Sequence, residues 1–94
     1  MAQARRKGAR REHASQRWLE AFGYQVIRAA GSRGLWDLLA IGPHNILLVQ
    51  VKSRDRPGPR ERQALAAFRC PPRVRTLIHR WRDGCRVPDV VEVS

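Results

Sequence analysis

The sequence predicts a mixed α/β fold, a small sheet flanked by helices in the order α-β-β-β-α-β-β. Three observations carry this. Two stretches place apolar residues at helical spacing. Five others are continuous or alternating apolar runs of strand length. Turn-forming residues separate them. With 94 residues, a single domain covering 1–94 is the default, and at 43% hydrophobic it can bury only a small core.

Residues 1–10, with Arg5, Arg6, Lys7 and Arg10, are expected to form a mobile basic arm leading into the first helix. Ser15, Trp18, Leu19 and Phe22 follow i, i+3, i+4, i+7 and make its inner face. Gly23 sits where that helix should stop. Tyr24 to Arg28 reads as a short strand, and AAGSRG as a loop. Leu35 to Ile41 and Ile46 to Lys52 read as strands joined by a GPHN turn. Both runs are nearly continuously apolar, so they should lie centrally, covered on both faces.

Pro59 suits the first turn of the second helix, where its missing N–H is not needed. Glu61, Ala64, Leu65 and Phe68 form the inward face of that helix, and Pro71-Pro72 stop it. Val74 to Trp81 alternates as a strand, and Asp83-Gly84 marks a hairpin turn. Val87 to Val93 returns as an edge strand, because Pro88 cannot donate to a central ladder.

The chain carries 19 Lys+Arg against 8 Asp+Glu, a net charge of +11. A balance this basic points to a polyanionic partner, nucleic acid first. No run approaches the roughly 20 apolar residues of a membrane helix, and no apolar stretch follows the basic N-terminus to make a secretory signal. Cys70 and Cys85 form no CxxC pair, which suggests reduced thiols and an intracellular, cytoplasmic, nucleoid-associated protein. His13, His44 and His79 share no metal-ligand spacing and read as surface or packing residues.

Three polar residues interrupt the two central strands: Asp37, Gln50 and Lys52. Burying them is costly without a partner. Gln50 and Lys52 share one face of their strand, and pairing through the GPHN turn brings Asp37 beside them. Asp37 and the Gln50 oxygen are hard ligands suited to Mg²⁺ or Mn²⁺, and the Val51 carbonyl could add another. Lys52 could orient or deprotonate water, or neutralise charge building on a phosphate. All but two of the basic residues are Arg; Lys7 and Lys52 are the exceptions. A desolvated Lys can lose its proton and Arg cannot, so a Lys at position 52 hints that the ammonium itself matters. On spacing alone the trio also fits a strand end where polar groups reach water. Glu12 continues the Ser15, Leu19, Phe22 stripe and should face the sheet, where a metal shared with Asp37 would give it a partner. By position it equally fits a first-turn Glu complementing the helix dipole.

The run RKGARREHASQRWLEAFGYQVIRAAGS, followed by WDLLAI and LLVQVKS, resembles the archaeal-type Holliday junction resolvases of the PD-(D/E)XK nuclease superfamily. The likeness covers residues 6 to 53. It implies a restriction-endonuclease-like sheet, a Mg²⁺- or Mn²⁺-dependent endonuclease, a branched or four-way-junction DNA substrate, and a homodimer. By the same resemblance Glu12, Asp37, Gln50 and Lys52 match the active-site set. Ser32 matches a loop serine near the scissile phosphate, and Arg6, Lys7 and Arg28 match DNA-contacting residues. Gln50 departs from the pattern, since these resolvases usually carry Glu there; other branches of the superfamily use QxK.

Three functions compete on these residues. In the first, a nuclease, Arg5, Arg6, Lys7, Arg10, Arg28 and Arg33 hold backbone phosphates. In the second, the fold is kept as a weak or inactive DNA-binding module that acts with a partner. The third, a small basic RNA-associated protein, leaves Asp37 inside an apolar strand unexplained.

Overall fold

The structure, a computed structural model, describes residues 2–29, 35–53 and 57–93, with side chains from Ala9 onward. The elements run α1 (Ala2–Ala21), β1 (Gln25–Arg28), β2 (Leu38–Ile41), β3 (Ile46–Lys52), α2 (Pro59–Ala67), β4 (Val74–Arg80) and β5 (Asp89–Glu92). This is the expected order. The strands make one mixed sheet, β1-β2-β3-β4-β5. Only the β3–β4 pair is parallel. A parallel pair needs a long crossover, and α2 lies in it.

The basic segment expected as an arm is helical backbone continuous with α1. Its Ala, Gln, Arg and Lys residues are good helix formers, and Gly8 is the one weak position among them. At the other end the chain closes a Schellman motif. Gly23 stands at φ +93°, its N–H donates to the Glu20 carbonyl at 3.0 Å, and Tyr24 N–H donates to the Leu19 carbonyl at 3.2 Å. Phe22 falls inside this cap, loses the helical phase, and is 64% exposed rather than core. It packs edge-on against Trp18.

Leu19 meets Leu38, Ala40, Leu47, Val49 and Leu77 in the core between α1 and one sheet face. The alternation of β3 sends Gln50 and Lys52 to the opposite face. There Glu61 of α2 meets both of them; Leu65 is the buried residue of that helix, while Ala64 is exposed and Phe68 is 37% exposed. Phe68 packs at 5.3 Å against Trp36 in a T-shaped pair. That second face is thinly covered, against the expectation for continuous apolar strands: Leu39 and Leu48 are only half-buried and Ile27 is exposed. A nine-residue helix cannot blanket five strands.

The GPHN turn is tight. Gly42 N–H donates to the Asn45 carbonyl at 2.9 Å, and Tyr24 Oη donates to Asn45 Oδ1 at 2.7 Å. A Cβ on Gly42 would lie 2.6 Å from the Tyr24 ring. Gly42→Ala is therefore expected to destabilise the fold by about 1–3 kcal/mol in denaturant titration, through displacement of Tyr24.

Ser15, His79 and Trp81 form a buried polar knot beneath α1. The Trp81 indole donates to Ser15 Oγ at 2.7 Å, and His79 Nδ1 is hydrogen-bonded to the same oxygen at 3.1 Å. Burial lowers the His79 pKa from 6.5 to about 4. Between those values the unfolded chain binds a proton that the folded chain refuses, so stability is full above pH 6.5 and falls as pH drops toward 4. The loss at full extent is roughly 3 kcal/mol. His79→Gln should flatten this part of the profile in thermal melts across the same window.

Candidate active site

The site lies at one end of the central strands. Continuing the β2–β3 register one residue beyond Leu38↔Val49 places Asp37 opposite Gln50. The Asp37 N–H donates to the Val49 carbonyl at 2.9 Å, and its Oδ2 accepts the Val51 N–H at 2.8 Å. The carboxylate thus replaces a ladder partner where β2 begins. Asp37 is half-buried. Burial raises its pKa above the ordinary value; the Val51 N–H opposes this, the Glu12 charge adds to it, Lys52 lowers it, and Glu61 raises it again.

Carboxylates therefore reach Asp37 from both sides of the sheet. Glu12 comes from α1, and its Oε1 takes an ion pair from Arg28 at 3.1 Å. Arg28 also lies 3.1 Å from His13 Nε2. The partner the sequence demanded for Glu12 is thus supplied by a guanidinium. Arg28, expected on DNA, is turned toward α1.

Glu61 comes from α2. Its Oε1 lies 2.8 Å from Lys52 Nζ, and its Oε2 accepts from Gln50 Nε2 at 3.1 Å. Glu61 was expected only as part of an inward helix face. The signal that it belongs to the site is the one that singled out Glu12, a carboxylate within an apolar i, i+3, i+4 stripe.

Gln50 is 4% exposed, and its Nε2 also donates to the Leu35 carbonyl at 3.3 Å. Its Oε1 is buried with no hydrogen-bond partner. The other buried side-chain atoms without a partner among the described residues are Trp36 Nε1 and Ser53 Oγ, so all three belong to the residues around this end of the sheet. Oxygen donors and an orphaned amide oxygen fit a hard divalent cation. Among the described residues, no three His, Cys, Asp or Glu side chains stand close enough to hold a metal on their own. Any ion would need the Gln50 oxygen or backbone as well.

Ser32 and Arg33 lie outside the described residues, as do the side chains of Arg5, Arg6 and Lys7. Arg10 is exposed on α1. With Arg11, Arg17 and Arg86 it lines a groove of about 500 Å³ beside Trp81. Arg11 is engaged there, 3.2 Å from Asp83 and stacked over the Trp81 ring. Among the described residues, no helix is long and apolar enough to cross a membrane.

No curated protein sequence matches the chain. Among solved structures, the Holliday junction resolvase Hjc of the archaeal hyperthermophile Archaeoglobus fulgidus superposes with a TM-score of 0.75 at 22% identity, over 93% of this chain and 73% of that one. This likeness shows the fold, a mixed five-stranded sheet flanked by helices that the two chains share. Residues 3–58 match the archaeal Holliday junction resolvase (Hjc) family. That span is more than half of the sequence, and the chain belongs to this family of endonucleases.

Proposed function

We propose that the chain is a Mg²⁺- or Mn²⁺-dependent endonuclease that cuts branched DNA, four-way junctions above all, by hydrolysis of a phosphodiester. The observation that carries this reading is a half-buried Asp37 facing Gln50, whose buried amide oxygen lacks a partner, with Lys52 on the same strand. Asp37 and Gln50 Oε1 would hold the ion, with the Val51 carbonyl and Glu12 as candidates for further ligands. When bound, the ion supplies positive charge to the scissile phosphate and acidifies water.

The chain's own groups do the rest. The Val51 N–H favours the ionised form of Asp37, opposing the burial that raises its pKa. Lys52 neutralises charge that grows on the phosphate and orients the attacking water. The water oxygen bonds to phosphorus as the bond to the 3′ oxygen breaks, leaving a 5′-phosphate and a 3′-hydroxyl. Ser32 would act near that phosphate. Arg5, Arg6, Lys7, Arg10 and Arg33 would hold the duplex arms through phosphates without reading bases, while Arg28 pairs with Glu12.

One site cuts one strand, so paired incisions call for two copies. Ile27 at 49% and Ile41 at 38% exposure leave apolar surface that a second copy could cover. The place of action is the DNA inside the cell.

The direct test incubates the protein with a labelled four-way junction and a matched duplex, with Mg²⁺, Mn²⁺ or chelator. Metal-dependent paired incisions in the junction are expected, slowed by roughly 10²–10³-fold in Asp37→Asn. Tight binding without cutting in either metal would leave a DNA-binding module. Binding should also weaken steeply with salt, and Arg10→Ala should shallow the log–log salt slope by about one.

A further inference from the structure

In this family's motif position 50 would carry a charge, and here it is an amide. The structure shows what stands behind that amide. Two acceptors, Glu61 Oε2 at 3.1 Å and the Leu35 carbonyl at 3.3 Å, flank Gln50 Nε2. An amide between two acceptors must turn its NH₂ toward them. The oxygen is then the end left over, buried and unpartnered in a side chain 4% exposed. The second Glu61 oxygen holds the Lys52 ammonium at 2.8 Å. One carboxylate from α2 therefore fixes both polar residues of the QxK strand.

We propose that Glu61 is a positioning residue for the metal centre, a role that rests on the metal-dependent reading above. It locks the Gln50 amide with its oxygen presented to a divalent cation. It also places, behind the amide, the negative charge that Gln50 lacks. Carboxylates that orient a metal ligand commonly set affinity this way, and their loss costs about 10–100-fold in metal binding. Glu61 touches neither water nor phosphate in this scheme; it acts through Gln50 and Lys52.

The test is Mn²⁺ binding to the full chain without DNA, followed by the electron paramagnetic resonance of the free ion. Four proteins are compared with wild type: Asp37→Asn, Glu61→Gln, Gln50→Glu and the double variant Gln50→Glu/Glu61→Gln. Glu61→Gln keeps an acceptor for the amide but removes the charge, and should raise the Mn²⁺ dissociation constant about 10–100-fold. Adding Gln50→Glu moves the charge onto the ligand itself and should restore affinity and cutting together. Melts in chelator check that the variants fold, and the Gln50→Glu single variant reads the same exchange if Glu61→Gln does not. Equal affinity in wild type and Glu61→Gln would overturn the role of Glu61 and leave the metal reading standing. Absence of any Mn²⁺ site that Asp37→Asn removes would overturn both.

Discussion

The bond from the Val51 N–H to the Asp37 carboxylate is the constraint on which this end of the molecule depends. It lets a charged residue sit at the mouth of an apolar hairpin. It also sets where β2 begins, at Leu38, because the Asp37 side chain replaces the ladder partner that another strand residue would have offered. A carboxylate fixed to the backbone of β3 cannot drift away from Gln50 and Lys52. The site's geometry is thus set by the sheet, and the side chains of α1 and α2 are added to it.

The two helices contribute in different ways. α1 brings Glu12 to the site from the face where the core is built, and Arg28 meets it there. α2 buries Leu65 and delivers Glu61 to Gln50 and Lys52. Three carboxylates around two cations leave an excess of negative charge that a divalent ion would satisfy. Burial above all, and then the like charges of Glu12 and Glu61, raise the Asp37 pKa against the Val51 N–H and Lys52. The buried Ser15–His79–Trp81 knot is a different use of polarity. Its groups satisfy one another, so it holds α1 to β4 and the chain beyond it and asks for no ligand.

Most of the site was legible in the sequence because burial makes polar residues conspicuous. Asp37, Gln50 and Lys52 interrupt runs that otherwise read as core, and Glu12 interrupts a helical stripe. Glu61 obeys the same rule. It was absorbed into the inward face of α2 because its stripe is short and the helix near it carries Arg60 and Arg62, which make charge look ordinary there. Phe22 and Phe68 misled for a related reason. Both sit at helix ends, where the 3.6-residue phase is lost and apolar side chains can pair with Trp18 and Trp36 at the surface.

The sequence by itself determined the order of elements, their approximate bounds and the hairpin that joins β2 to β3. These are local properties, set by periodicity, Gly and Pro positions, and turn chemistry. It also determined that Asp37, Gln50 and Lys52 would need partners. Only the tertiary structure decided who those partners are: Val51 for Asp37, Arg28 for Glu12, and Glu61 for both Gln50 and Lys52. Partner choice depends on which face of the sheet each helix covers and how far along it sits. Those are set by packing between segments far apart in the chain, and no local pattern records them.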